Sequence, residues 1–148
     1  MREMMALAYE QAKKAFSEGE VPVGAVLEKD GRILCRAHNL CERQKDPTAH
    51  AELLVMREGL KRLKDRSLRG CTLYVTLEPC PMCMGAAVHC GLSRLVYGAS
   101  DYKFGACGGY VNLGAHSFAS SLEVYGGIME GECESILKEF FQGLRKSE

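Results

Sequence analysis

The run Cys71-Thr72-Leu73-Tyr74-Val75-Thr76-Leu77 is apolar and β-branched, and reads as a buried strand. Glu78-Pro79-Cys80-Pro81-Met82-Cys83 follows at once. Proline is favoured at the first position of a helix, where its missing N–H leaves nothing unpaired, so Pro81 opens a short helix over 81–90. This junction of strand, proline-bounded break and helix constrains the fold more than any other segment. A buried strand that hands over to a helix so quickly belongs to a sheet covered by helices. The break also carries two thiols, which ties the fold argument to the chemistry.

The rest of the chain fits the same plan. Met5, Ala8, Ala12 and Ala15 predict a helix over 4–16, and Gly19 closes it. Val21–Glu28 and Arg32–Asn39 read as two strands joined by an Asp30-Gly31 hairpin turn. Leu53, Met56, Leu60 and Leu63 lie on one helical face, predicting a helix over 49–64 after Asp46-Pro47. Arg94–Gly98 and 122–125 are further strands, and 131–145 is the last helix. The order α-β-β-α-β-α-β-β-α predicts an α/β fold with a mixed five-stranded sheet, partly parallel, flanked by helices.

Length and composition narrow the class. The chain has 148 residues, 47% hydrophobic and 26% charged, so one domain over 1–148 is expected, with a core that needs no disulfide support. Disordered tails, collagen-like fibres and disulfide-dominated miniproteins are excluded. Lys+Arg and Asp+Glu both number 19, so a nucleic-acid partner would have to be met by local contacts rather than by a global field. No apolar segment follows Met1-Arg2-Glu3 and no apolar run reaches the roughly 18 residues of a membrane span, so a cytoplasmic protein without membrane contact is expected. In a reducing compartment the eight cysteines mean metal binding, redox chemistry or core packing.

Cys80 and Cys83 fall in the first turn of the helix, where free N–H groups and the dipole favour thiolates. Such a pair is half of a Zn²⁺ site. His50 is the best third ligand. His50 and Glu52, two residues apart, converge only if they lie at the start of the 49–64 helix. Three protein ligands leave the fourth position to water, the mark of a catalytic zinc, and the metal lowers the pKa of that water towards about 7. Glu52 is then placed to move its proton. A thioredoxin-like redox pair would leave the His50-Ala51-Glu52 element idle. A closed structural site using His89 or Cys90 would leave Glu52 idle.

His50-Ala51-Glu52 with Pro79-Cys80-Pro81-Met82-Cys83 resembles the zinc-dependent cytidine deaminase superfamily. Within it, the resemblance is to the tRNA adenosine deaminases. It extends over Glu20-Val21-Pro22-Val23-Gly24-Ala25, His38-Asn39, Asp46 to Glu52, Leu73 to Cys80, Tyr97-Gly98-Ala99, Asp101, Lys103 and Phe140-Phe141. It implies a three-layer α-β-α deaminase fold and one Zn²⁺ per chain held by His50, Cys80 and Cys83, with Glu52 as proton shuttle. It further implies Asn39 on the extruded adenine, Asp101 on a ribose 2′-hydroxyl, Lys103 near phosphates and Phe141 on the anticodon loop. The implied reaction is hydrolytic conversion of wobble adenosine-34 of a tRNA anticodon stem-loop to inosine by zinc-activated water attacking C6, with ammonia released by a homodimer.

The sequence departs from that family at two places. Phe104 and Cys107 stand where small residues are expected, and the stretch from Gly114 to Ser121 lacks an Asn-His pair. Both departures bear on loop geometry and nucleotide context. Arg57, Lys61, Arg62, Lys64, Arg66 and Arg69 form either a phosphate-binding patch or a solvated helix face. The remaining cysteines read as core thiols, and His38, His89 and His116 as hydrogen-bonded structural histidines.

Overall fold

The computed structural model describes residues 1–147; Glu148, the last residue of the expected domain, lies outside them. The elements follow the order α1 (Arg2–Ser17), β1 (Gly24–Lys29), β2 (Arg32–His38), α2 (Cys41–Gln44), α3 (Ala51–Leu63), β3 (Cys71–Leu77), α4 (Pro81–His89), β4 (Arg94–Ala99), β5 (Glu123–Tyr125) and α5 (Glu130–Ser147). Among the described residues, no helix is long and apolar enough to cross a membrane.

One five-stranded sheet runs in the order β2-β1-β3-β4-β5. β1 is antiparallel to both β2 and β3, while β3 pairs with β4, and β4 with β5, in parallel. The β1–β2 turn is tight because Asp30 and Gly31 both take positive φ, 53° and 78°, as a two-residue hairpin loop requires. Parallel pairing of β3 with β4 needs a crossover, and α4 supplies it.

Strand alternation sends residues to opposite faces. Leu27, Leu73, Val75 and Leu95 pack with Val55 and Met56 of α3 and with Met84 and Ala87 of α4. Val26, Tyr74 and Val96 pack on the other face with Met5 and Ala8 of α1 and Cys133 of α5. The result is the three-layer mixed α/β arrangement. Central β3 is buried from Cys71 to Thr76, which explains why its sequence shows an unbroken apolar run rather than alternation. Truncating such a residue, as in Leu73→Ala, costs about 2–5 kcal/mol.

Several elements differ from the sequence reading at their ends, and three of the differences have a local cause. β1 begins at Gly24, because Val21-Pro22-Val23 forms a tight turn closed by the Val23 N–H on the Val21 carbonyl, 2.8 Å. The polar stretch after Asn39 contains the one-turn helix α2. α3 starts at Ala51 rather than 49, because His50 is its extended N-cap. The pairing puts the start of β1, the end of β2 and the ends of β3 and β4 at one edge of the sheet: Gly24 faces His38, Ala25 faces Val75, and Leu77 faces Ala99. In parallel sheets the segments leaving the C-terminal ends form the binding crevice.

Candidate metal and active site

Two helix starts meet at that edge. Asp46 Oδ1 accepts the Thr48 N–H and hydroxyl, 2.8 and 2.7 Å, and the Thr48 carbonyl accepts the His50 N–H, 2.7 Å. This turn delivers His50 as the N-cap of α3, with φ −72° and ψ 145°. Glu52 follows in the first turn and is buried, 4% exposed. Cys80 is the N-cap of α4, Pro81 its first residue, and Cys83 lies buried one turn in.

His50 Nδ1 stands 3.7 Å from Cys80 Sγ and 3.5 Å from Cys83 Sγ. The three donor atoms lie within 4.8 Å of one another. Tetrahedral Zn²⁺ with ordinary Zn–N and Zn–S bonds of about 2.0 and 2.3 Å separates nitrogen and sulfur donors by about 3.5 Å. The donor set and its spacing therefore fit zinc, and the whole group sits at two positive helix ends.

The electrostatics follow from this crowding. The Cys83 thiol donates to Cys80 and, helped by His50, draws the Cys80 thiol down to about 4. Cys83 is pushed up, first by keeping that shared proton and then by burial. His50 is raised chiefly by its hydrogen bond to Cys80. Burial raises Glu52, whose side chain reaches the Cys83 thiol.

The expected substrate residues lie on flanking segments. Asn39, 7% exposed, follows β2 and uses its Oδ1 to accept the Cys41 N–H, 3.3 Å. Asp101 follows β4, and its Oδ1 accepts the Lys103 and Phe104 N–H groups at 3.0 and 3.1 Å. Lys103 is exposed on the same loop. Phe141 is carried by α5, which packs on the opposite face from α3 and α4; it is 43% exposed and meets Phe140 edge-on at 5.4 Å. The structure thus gathers His50, Cys80, Cys83 and Glu52 into one group, sets Asn39 and Asp101 at the same sheet edge, and leaves Phe141 on a separate element.

Two buried carboxylates lie in segments singled out in the sequence but have no role assigned there. Glu78, 3% exposed, accepts the N–H groups of Asp101 (3.0 Å), Cys107 (2.8 Å) and Gly109 (2.9 Å). Side chains at Gly105 or Gly109 would collide with this carboxylate, a Cβ there falling within 2.4 or 2.5 Å of it. Glu20, 1% exposed, accepts the N–H groups of Glu42 and Arg43 at 2.9 and 2.8 Å and so caps α2. Neither falls in a periodic pattern. The glycines at 105 and 109 were the available signal for Glu78.

The other residues weighed in the sequence take plain places. His38 bridges Glu18 and Gln11 of the α1 region at 2.8 and 3.3 Å. Arg62 pairs with Glu58 at 3.0 Å, while Arg57, Lys61, Lys64, Arg66 and Arg69 are exposed. The cysteines are unbridged; Cys35, Cys71 and Cys133 are buried, and Cys107 Sγ lies 3.5 Å from Met84 Sδ.

A family model of MafB19-like deaminases matches residues 1–145. The chain belongs to this deaminase family. Among its relatives, the tRNA-specific adenosine deaminase of Bacillus subtilis is 49% identical over 140 residues, 94% of this chain and 87% of the relative. That of Haemophilus influenzae is 48% identical, covering 97% of this chain and 84% of the relative. A chain solved in studies of A-to-I editing by tRNA:A34 deaminases at the wobble position of transfer RNA superposes with a TM-score of 0.88 at 40% identity, covering 93% of this family member and all 100% of that chain. The mixed sheet with its flanking helices is therefore the deaminase fold.

Proposed function

We propose that this chain is a zinc-dependent tRNA adenosine deaminase, converting the wobble adenosine-34 of an anticodon stem-loop to inosine. The observation that carries the reading is the meeting of His50, Cys80, Cys83 and buried Glu52 at two helix starts, beside a loop that presents Asp101 and Lys103. Likeness over nearly the whole chain to proteins named tRNA-specific adenosine deaminases supports the choice of substrate.

The reaction exchanges the C6 amine of adenine for the oxygen of water and releases ammonia. His50, Cys80 and Cys83 would hold the zinc, which when bound would supply the Lewis acidity that makes water a nucleophile near neutral pH. Glu52 would take one proton from the attacking water and give it to the ring nitrogen next to C6, then take the remaining proton of the hydroxyl added at C6 and give it to the departing amine, leaving a C6 carbonyl and ammonia. Its burial beside Cys83 keeps competing water away. The target base must leave its stack to reach this depth, and a loop nucleotide is cheaper to extrude than a paired one.

Asn39 orients the extruded adenine. The Asp101 oxygen not used in its own turn accepts from a ribose 2′-hydroxyl, Lys103 meets phosphate, and Phe141 touches the anticodon loop. One zinc per chain, a single deaminase domain over 1–148, a homodimer and a cytoplasmic location complete the reading. Exposed Tyr110, Val111 and Phe118 support the homodimer by offering apolar surface to a second copy. Incubation of the purified protein with total tRNA, followed by inosine mapping, tests the reading. Inosine at a wobble position is expected. Deamination of free guanine or cytidine with no inosine in tRNA would overturn it.

A further inference from the structure

We infer that Tyr102 and Phe104 form a stacking platform for an unpaired RNA base flanking the target nucleotide, an inference that rests on the tRNA-deaminase reading. Tyr102 is 77% exposed and Phe104 65% exposed, although each carries a large apolar ring. They flank exposed Lys103. Two aromatic faces around a cation match the chemistry of single-stranded nucleic acid, whose bases stack while its phosphates seek positive charge.

Position and rigidity support this occupant. The loop is tied to the junction that carries the metal ligands: Glu78 accepts from Asp101, Cys107 and Gly109, and the Pro79 carbonyl accepts the Ala106 N–H at 2.8 Å. Glu78 and Pro79 immediately precede Cys80, so the Cα atoms of both anchoring residues lie within about 8 Å of its Cα. Asp101 Oδ1 binds the N–H groups of Lys103 and Phe104, and the Asp101 carbonyl accepts the Gly105 N–H at 2.9 Å. The backbone beneath both rings is thus set before RNA arrives, and binding there costs little loop ordering. Relatives of this fold that carry small residues at these positions would lack the platform, so nucleotide context should depend on Tyr102 and Phe104 in this chain.

The test uses an anticodon stem-loop with adenosine at the wobble position and fluorescent 2-aminopurine beside it. Stacking on a ring quenches the probe. The wild-type protein should quench it on binding. Tyr102→Ala and Phe104→Ala should each weaken binding roughly five- to hundredfold, the range of one lost base–aromatic stack. Phe104→Tyr should restore binding, and Phe104→Leu, which keeps bulk without a π-face, should not. When the flanking base is replaced by an abasic site, the wild type should lose the same factor and Phe104→Ala should lose nothing more. Unchanged affinity in both alanine variants, a penalty that persists on the abasic RNA, or a changed oligomeric state in place of an affinity loss would overturn the inference. Inosine is measured in the same samples. Binding with quenching but no inosine would defeat the deaminase reading and leave the platform standing; inosine with no dependence on either ring would do the reverse.

Discussion

His50, Cys80 and Cys83 are placed by helix starts, whereas Asp101, Lys103 and Phe104 are placed by a loop wrapped around the Glu78 carboxylate. The first group is buried or half-buried and its geometry follows from local sequence: an N-cap, a proline at the first helical position, a ligand one turn on. In the second group Lys103 and Phe104 are exposed and Asp101 is half-buried, and its geometry follows in part from a residue that lies 23 positions upstream of Asp101. The comparison separates two tasks. In the proposed reading the centre holds the groups that change bonds, and its parts are held by two helix starts. In the same proposed reading the rim reads the substrate around the base; it is held by the buried Glu78 carboxylate, which accepts the N–H groups of Asp101, Cys107 and Gly109, and by Asp101 Oδ1, which accepts those of Lys103 and Phe104. Substitutions in the centre should therefore act on metal content and kcat, and substitutions in the rim on KM and on discrimination between nucleic acids.

The largest effect belongs to the metal ligands. Wild-type protein should purify with one zinc per chain, and Cys83→Ala should lose both the metal and all measurable turnover, because two remaining ligands rarely hold Zn²⁺ against competition. Metal analysis of the two proteins checks this, and full zinc content in the variant would move the site elsewhere. Next comes Glu52→Ala. It should retain zinc and fold while kcat falls by roughly 10² or more, the usual scale for a general acid–base group. Near-normal turnover would remove Glu52 from the chemistry.

The rim predictions are smaller and of another kind. Glu78→Ala strands three backbone N–H groups and should cost about 2–4 kcal/mol of stability, read as a lower Tm, with KM for a stem-loop raised more than kcat is lowered. Zinc content should survive. Glu78→Gln keeps one acceptor oxygen and should lose less. A Glu78→Ala protein with wild-type KM would erase the distinction between centre and rim. The smallest effect is expected for Asp101→Asn. Asparagine retains an oxygen for the Lys103 and Phe104 N–H groups, so the turn should persist. The requirement for a 2′-hydroxyl should weaken, lowering the rate on an RNA stem-loop and raising it on the matching DNA by a few-fold. An unchanged RNA-to-DNA ratio would assign Asp101 to the turn alone.

How far the sequence discloses the molecule follows the same division. The helices α1, α3, α4 and α5 and the five strands are legible in the sequence, most of them because they bury one face or both. Cys80 and Cys83 are visible because proline and spacing give them a helix start, and His50 and Glu52 because two residues so placed have one way to converge. The short α2 is not visible: it has no buried face and exists because Glu20 caps it from far along the chain. The path of 101–111 is not visible for the same reason. Its bonds run to Glu78 and Pro79, and nothing in its own composition beyond its glycines announces them. The boundary at Gly24 hides behind Val21-Pro22-Val23, which has strand composition but forms a turn.

The most direct measurement of the central claim pairs two substrates in one assay. Zinc-loaded protein is given a stem-loop with adenosine at the wobble position and, separately, free guanine, and ammonia and inosine are followed in each. Inosine at that single position, ammonia in equal amount and guanine left intact are expected. Deamination of guanine with the stem-loop unchanged would contradict it.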